Sequence, residues 1–323
     1  MTLARMGELL AARCRGGVAF DRPLAPLTTY RLGGPAAVLF EPGSGDDLLN
    51  VTSAIGEAGL SPADVPMLVM GRGSNVVISD RGFDGLVIRM GSATSWINSP
   101  AAGPSPLVSS GAGTSLPLLA NWAARRSLAG LEFTVGIPGS VGGGVRMNAG
   151  AHQGSLADTL ISVEVYSSGA EEIVVRTTDA LELSYRRSAL TSADIVVSAA
   201  FRLVPDEESA IRERMETYRK HRAETQPGAL QNAGSTFKNP PGDSAGRLVE
   251  AAGLKGHSVG GARVSELHAN FFVAEQGASA QDVFDLVHLV RARVADAFGV
   301  ELEPEVRFVG PFDRSMAGAE AAR

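Results

Sequence analysis

Cysteine is almost missing from this chain of 323 residues: Cys14 stands alone, which excludes an intramolecular disulfide and any thiolate cluster around a metal, and fits a reducing compartment. Long apolar runs are missing too. No stretch approaches the roughly 20 residues that span a bilayer, and Arg5, Glu8, Arg13 and Arg15 interrupt the N-terminal segment before a signal-peptide core can form, so a cytoplasmic protein is expected. Basic excess is absent: 29 Lys and Arg against 35 Asp and Glu give a net charge of −6, so nucleic acid and anionic membranes are not expected partners. The histidines, His152, His221, His257, His268 and His288, lack metal-ligand spacings, and no metal site is expected.

The familiar nucleotide and hydrolase motifs are also lacking. Gly71-Arg72-Gly73-Ser74-Asn75 has no Lys-Ser/Thr pair and leads into the strand-like Val76-Val77-Ile78-Ser79, so it is not a P-loop. Near Gly111-Ala112-Gly113, Leu116 stands where a dinucleotide fingerprint needs its third glycine. No Gly-x-Ser-x-Gly elbow surrounds Ser235, which argues against a hydrolase nucleophile.

Backbone-rich segments take their place. Gly130 to Gly150 packs glycine into apolar sequence with almost no reactive side chains, a composition suited to positive φ or to close approach of main chain to a guest. A structural glycine-rich turn would read the same way. The strand Met67–Met70, the Gly71–Asn75 turn and the following strand form a second such segment, able to cup phosphate on N–H groups, with Ser74 and Asn75 as donors and Arg72 as counter-charge. Two such cradles point to a pyrophosphate-containing cofactor on an unusual scaffold.

Periodicity predicts an amphipathic helix in the first fifteen residues, another around 46–58, short strands to Arg89, a helix over 115–126, and strands at 161–166, 172–176 and 195–203. Charge rises at Pro205-Asp206-Glu207-Glu208, where a domain boundary is placed. Beyond it come helices over 209–225, 244–252 and 280–298, a glycine turn and strand over 260–273, and a final strand near 305–308. Alternation there would turn Glu305, Arg307 and Val309 to one side.

Three polar clusters stand beside residues that ought to be buried. Ser184-Tyr185-Arg186-Arg187-Ser188 reads as a solvated face or as a site for carboxylate or phosphate. Asn232 to Pro241 sets Ser235 on a turn with Lys238 and Asn239 close by, a plain loop if taken alone. Leu302 to Phe308 reads as an exposed salt-bridging strand or as part of a site, and His257 and His268 bracket Gly260-Gly261, making one of them a candidate to face a ligand.

Taken in order, Arg-Gly-Ser-Asn (72–75), Ile-Pro-Gly-Ser-Val-Gly-Gly (137–143), Asn-Ala-Gly-Ala (148–151), Ser-Tyr-Arg-x-Ser (184–188), Gly-Ser-Thr-Phe-Lys-Asn-Pro (234–240) and Leu-Glu-Pro-Glu-Val-Arg (302–307) resemble the UDP-N-acetylenolpyruvoylglucosamine reductases. These are FAD- and NADPH-dependent enzymes of bacterial peptidoglycan precursor synthesis, and the resemblance runs from about Thr28 to Gly310. It implies an α+β chain: an N-terminal helix (1–19), a two-lobed FAD-binding domain of the vanillyl-alcohol-oxidase type (20–205, lobes about 20–95 and 96–205), a C-terminal α+β substrate-binding domain (206–310) and a disordered tail (311–323). It further implies noncovalent FAD, NADPH as hydride donor, UDP-N-acetylglucosamine enolpyruvate as substrate, and a monomer.

Position by position, the resemblance places FAD against Gly71, Arg72, Gly73, Ser74 and Asn75, and against Thr134, Ile137, Pro138, Gly139, Ser140, Gly142, Gly143, Asn148, Gly150 and Ala151. Arg186, Ser235 and Glu305 match the family's catalytic arginine, serine proton donor and glutamate, and Tyr185, Arg186, Lys238, Asn239 and His268 match substrate contacts. The short interval from Arg186 to Ser235 lacks the loop whose tyrosine closes over substrate in one subgroup, and Gly-Ala-Leu at 228–230 departs from the family's frequent Pro-Leu approach to the serine. In the implied chemistry, hydride adds at the β-carbon of an enol ether conjugated to a carboxylate, leaving an enediolate. Arg186 stabilises that charge and Ser235, helped by a cation such as Lys238, supplies the α-carbon proton. Glu305 takes its role from the resemblance alone. Two alternatives are a flavin oxidase, which often carries a histidine where Ser74-Asn75 stands, and a non-catalytic paralogue, which should have lost Arg186, Ser235 or Glu305.

Overall fold

The computed structural model describes residues 2–99, 106–168, 171–228 and 230–313, so most of the expected tail, from Arg314, lies outside the described residues, as does Ala229 of the 228–230 departure. The chain divides into two compact units, each assembled from separated stretches. Unit 1 is Met1–Asp21, Ala37–Arg72 and Gly85–His221; unit 2 is Arg22–Ala36, Gly73–Asp84 and Arg222–Arg323.

Unit 1 holds two sheets. In the first, the strands run Gly17–Pro23, Pro35–Glu41, Phe83–Arg89 and Met67–Met70, the last two parallel with Met67 opposite Leu86. Leu86, Val87 and Ile88 are all buried, as a β-branched strand covered on both faces should be. Helices Leu3–Arg13 and Leu49–Glu57 pack together, and Met6 and Leu10 enter the core as their spacing predicts. The helix stops at Arg13 and a strand begins at Gly17, inside the 1–19 stretch assigned to the helix, because Asp47 accepts the N–H groups of Arg15 and Gly16 at 3.3 and 3.0 Å and fixes an extended exit.

The second sheet is antiparallel, in the order Glu172–Thr177, Leu160–Ser167, Asp194–Arg202, Leu107–Gly111, Ile97–Asn98. Helix Leu116–Ala124 and the short helix Val141–Arg146 pack beside it. Helix Glu208–Thr225 buries Ile211 and Met215 against Ala120, Ala124, Ala129 and Val135 of unit 1. The charged stretch at 205–208 therefore begins a helix that is anchored, as far as His221, in the unit expected to end before it.

Unit 2 is built on helix Ala280–Phe298, whose bounds match the sequence reading because Ser279 and Asp282 form a capping box at its start. Its apolar face, with Val283, Leu286, Val287, Val290 and Val294, shares a core with Phe237, Phe272 and Tyr30. The segment expected as one strand over 260–273 is instead two strands, Ala262–Val264 and Phe272–Ala274, in an antiparallel sheet with Ser258–Val259. The turn Phe271 N–H to His268 O, 2.9 Å, breaks the extended run. The final strand is Arg307–Val309, parallel to Val76–Ile78. Glu305 lies ahead of it, and Val309 is buried while Arg307 is exposed, so the expected alternation fails at the strand end, where Val309 O takes the Ser79 N–H at 2.8 Å. Pro311 and Asp313, assigned to the tail, are tied by Ser79 Oγ to Pro311 O at 2.5 Å and by Arg81 to Asp313 at 3.1 Å.

These long-range bonds give unit 2 its early residues, which a contiguous reading of the chain cannot anticipate. Tyr30 is buried and donates its hydroxyl to Phe272 O at 2.9 Å across 242 residues of chain. Tyr30→Phe leaves that carbonyl unsatisfied and should lower stability by about 1–2 kcal/mol. A urea titration followed by circular dichroism should show the midpoint falling without loss of folded signal in water.

Candidate active site

Unit 1 contains a cavity rimmed by main chain, with Gly71 at one wall and Ser140, Gly142 and Gly143 at another. Glycine is required at 71, where a Cβ would overlap Ser140 Oγ; at 142 a Cβ would lie 2.9 Å from that of Ala112. Ser140 caps helix Val141–Arg146, and its neighbours are fixed by Leu116 N–H to Gly139 O at 3.0 Å and Val141 N–H to Thr114 O at 2.8 Å. Arg146 and Asp194 also line the cavity. Burial works to raise the Asp194 pKa, but the Thr191 N–H and hydroxyl and the Arg176 guanidinium outweigh it and hold it below the ordinary aspartate value.

Other expected cofactor residues are placed as supports. Thr134 is 0% exposed and gives its hydroxyl to Leu131 O at 2.7 Å. Arg72 donates Nε to Pro138 O at 3.1 Å, bracing the second glycine segment. Ile137 and Gly139 are half-buried and Pro138 is exposed, while Gly150–Ala151 pairs with Gly154–Ser155 in a small hairpin.

The Gly71–Asn75 turn displays its main chain. The N–H groups of Arg72, Gly73, Ser74 and Asn75 meet no acceptor among the described residues. Gly73 has φ +62° and a Cβ there would overlap Leu27 O. Asn75 donates Nδ2 to Glu305 O at 3.1 Å and accepts Arg307 N–H at 3.0 Å.

Arg186 sits in unit 1 on a tight turn closed by paired bonds of 3.1 Å between Ser184 and Arg187. Its φ is +55°, a conformation that favours glycine or asparagine. Its Nη2 donates to Gly150 O at 3.1 Å, and its guanidinium carbon lies 5.3 Å from the ring centroid of Tyr185, which is 55% exposed.

Ser235, Lys238, Asn239, His268 and Glu305 all belong to unit 2. Thr236 N–H donates to Asn270 O at 2.7 Å, and the buried Asn270 side chain accepts Phe237 N–H and donates to Phe237 O at 2.9 and 2.8 Å. Thr236 O accepts Glu305 N–H at 2.8 Å, so Ser235 and Glu305 lie on adjoining segments of chain. The Ser235 hydroxyl has no partner among the described residues, and no atom lies within 4 Å of where a Cβ on Gly234 would point. Lys238, expected as a cation near the serine, is paired with Glu303 at 2.6 Å, because its N–H to Glu303 O bond sets the two side chains alongside each other. Asn239 Oδ1 accepts Ala245 N–H at 3.0 Å. His268 accepts Asn270 N–H on Nδ1 at 3.1 Å, which puts the proton of the neutral ring on Nε2, and burial pushes its pKa below the ordinary histidine value.

Residues 36–176 match the family model described as FAD binding domain, and residues 226–309 match that of the UDP-N-acetylenolpyruvoylglucosamine reductase C-terminal domain. The enzyme of that name from Rubrobacter xylanophilus is 44% identical over 90% of this chain and 95% of its own length. The one from Agathobacter rectalis is 43% identical over 92% and 95%. The chain belongs to the UDP-N-acetylenolpyruvoylglucosamine reductase family. The crystal structure of such a reductase from Thermus caldophilus, 35% identical, covers 92% of this chain and all of its own with a TM-score of 0.75.

Membership makes this reductase an FAD-dependent oxidoreductase with the expected α+β architecture. Its residues fit the cofactor: a row of unengaged N–H groups on the 72–75 turn suits a pyrophosphate, and glycines let main chain approach a flat ring system. Sequence reasoning missed Asn270, Arg146 and Glu303. Only Asn270 left a signal, as an amide within the otherwise apolar Ala269-Asn270-Phe271-Phe272-Val273 run. Among the described residues no helix is long and apolar enough to cross a membrane, and no group of His, Cys, Asp and Glu could hold a metal.

His268 gives this site a pH dependence. The unfolded imidazole protonates near 6.5 and the folded one at lower pH, so between the two values the unfolded chain binds more protons. Stability should fall as pH drops below about 6.5 and level off above it. The His268 Cε1 resonance should titrate below the ordinary histidine value, and His268→Asn should flatten the acid side of the stability profile.

Proposed function

We propose that this chain reduces UDP-N-acetylglucosamine enolpyruvate to UDP-N-acetylmuramate at the expense of NADPH, in the cytoplasmic synthesis of peptidoglycan precursors. Bound FAD supplies the relay of hydride from NADPH to the substrate, chemistry that no side chain can perform. The chain's own residues bind, orient and protonate. Arg186 forks onto the substrate carboxylate and offsets the negative charge that grows there. Ser235 gives its hydroxyl proton to the α-carbon and regains one from solvent. His268, neutral with its proton on Nε2, is a donor to an uncharged or anionic part of the substrate, and Tyr185, Lys238 and Asn239 complete the contacts.

The observation that carries this reading is the arrangement around Ser235. A hydroxyl with no partner among the described residues stands on a turn whose next two residues are fixed by Asn270 and by Glu305 N–H. A proton donor needs such placement, with its hydroxyl uncommitted and its main chain fixed. Lys238 enters as one half of an ion pair, so it tunes the turn rather than acting as a bare cation. Glu305 is held by its main chain to Thr236 O and Asn75 Nδ2, which keeps it beside the segment that carries Ser235.

The flavin is held without a covalent link, since Ser74 and Asn75 stand where an oxidase often carries histidine. The protein should therefore purify yellow, and acid precipitation should move all the colour to the supernatant; a yellow pellet would contradict noncovalent binding.

Ser235→Ala separates the two halves of the reaction. Bleaching of the yellow colour by NADPH should proceed at nearly the normal rate, whereas its return on adding the enolpyruvyl sugar nucleotide should slow by roughly 10² to 10⁴-fold, the range for loss of a general acid. Ser235→Cys should recover part of that rate. Stopped-flow absorbance reads both steps, and an unchanged return with Ser235→Ala would remove Ser235 from the role of proton donor.

A further inference from the structure

We propose that Asn148 is a positioning residue for the step with the enolpyruvyl substrate, acting through the turn that presents Arg186. This rests on the reading of Arg186 as the group that meets the substrate carboxylate. Asn148 falls in the glycine segment assigned to the cofactor, yet both ends of its buried side chain are engaged within unit 1. Nδ2 donates to Ser184 O at 3.0 Å, and Oδ1 accepts Ala157 N–H at 3.0 Å.

The carbonyl it reaches is the one that closes the turn. Ser184 O also accepts Arg187 N–H at 3.1 Å, so Asn148 adds a second donor to the bond that spans Tyr185 and Arg186. Arg186 occupies the left-handed region at φ +55°, and a non-glycine residue stays there only where its surroundings over-determine it. Two other cross-links act on the same loop: Arg186 Nη2 to Gly150 O at 3.1 Å and Ser188 Oγ to Arg146 O at 2.8 Å. Of the three, only the Asn148 bond is made by a side chain outside the 184–188 loop. Asn148 itself has φ +39°, which asparagine tolerates better than most residues, so its identity serves its own backbone and the bond together. A guanidinium displaced by about 1 Å loses much of its alignment with a carboxylate, which can cost on the order of 10²-fold in rate.

Two substitutions separate this role from a structural one. Asn148→Gly keeps the backbone conformation and removes both side-chain bonds. Asn148→Asp keeps an acceptor for Ala157 N–H and replaces the donor to Ser184 O with a carboxylate oxygen that repels it. With holoenzyme in stopped flow, both should slow return of the yellow colour on adding the enolpyruvyl sugar nucleotide by about 10- to 100-fold, at least tenfold more than they slow bleaching by NADPH. Hydrogen exchange followed by mass spectrometry should show faster exchange at the Arg187 amide in both variants. In an Arg186→Ala background, Asn148→Asp should add no further slowing.

Wild-type behaviour of Asn148→Asp in both half-reactions overturns the proposal, as does slowing that adds in full to that of Arg186→Ala. Equal slowing of both half-reactions with loss of bound flavin overturns it in favour of a cofactor contact. If Arg186→Ala alone leaves the second half-reaction at the wild-type rate, the reading of Arg186 fails and the proposal falls with it.

Discussion

A buried carboxamide has to satisfy a donor and an acceptor inside the protein, so it ties its own segment to the chain that supplies its partners. Each unit of this chain uses one such group beneath its chemistry. Asn270 joins Phe237 N–H and O, next to Ser235, and Asn148 joins Ser184 O to Ala157 N–H, next to Arg186. Both bond main chain rather than side chains, and one partner of each, Phe237 or Ser184, lies two residues from a group assigned to the reaction. Rigid placement is achieved without committing the reactive hydroxyl or adding a second charge.

The same economy governs the charged groups. Arg72 braces Pro138 O, Lys238 is paired with Glu303, and Asp194 is enclosed by Arg176 and Thr191. With these side chains engaged in the protein, the 72–75 turn offers main-chain N–H groups, the kind of donor that can take a phosphate without side-chain ordering. A net charge of −6 is compatible with binding anionic ligands, because local main-chain dipoles and single arginines can set the potential at a site whatever the sign of the whole chain.

Much of this could be read from the residues, for identifiable reasons. Helix Ala280–Phe298 was legible because apolar periodicity and a capping box agree, and the 72–75 and 137–143 segments because glycine has few other uses at that density. The pairing of Val76–Ile78 with Arg307–Val309 was not, since a parallel ladder between strands more than 200 residues apart leaves no local pattern. The pairing of Lys238 with Glu303 was hidden for a related reason: the partner is remote in sequence, and composition near Ser235 shows only the cation. The 260–273 stretch looked like one strand because its apolar content runs across the His268 turn, where hydrogen bonding and not hydropathy decides.

The discontinuous make-up of unit 2 also bears on how the chain emerges from the ribosome. Val76–Ile78 is synthesised long before its partner Arg307–Val309, and at about 5–20 residues per second the gap lasts on the order of ten to fifty seconds. During that interval a three-residue apolar segment with an unpaired edge is present in the nascent chain. Its shortness, with Asp80 and Arg81 directly after it, limits the template it offers to other strands. Residues as far as His221 complete unit 1 well before unit 2 has its last strand, so the vectorial order of synthesis favours a nascent chain in which the flavin-domain sequence condenses first and the serine-bearing unit closes last.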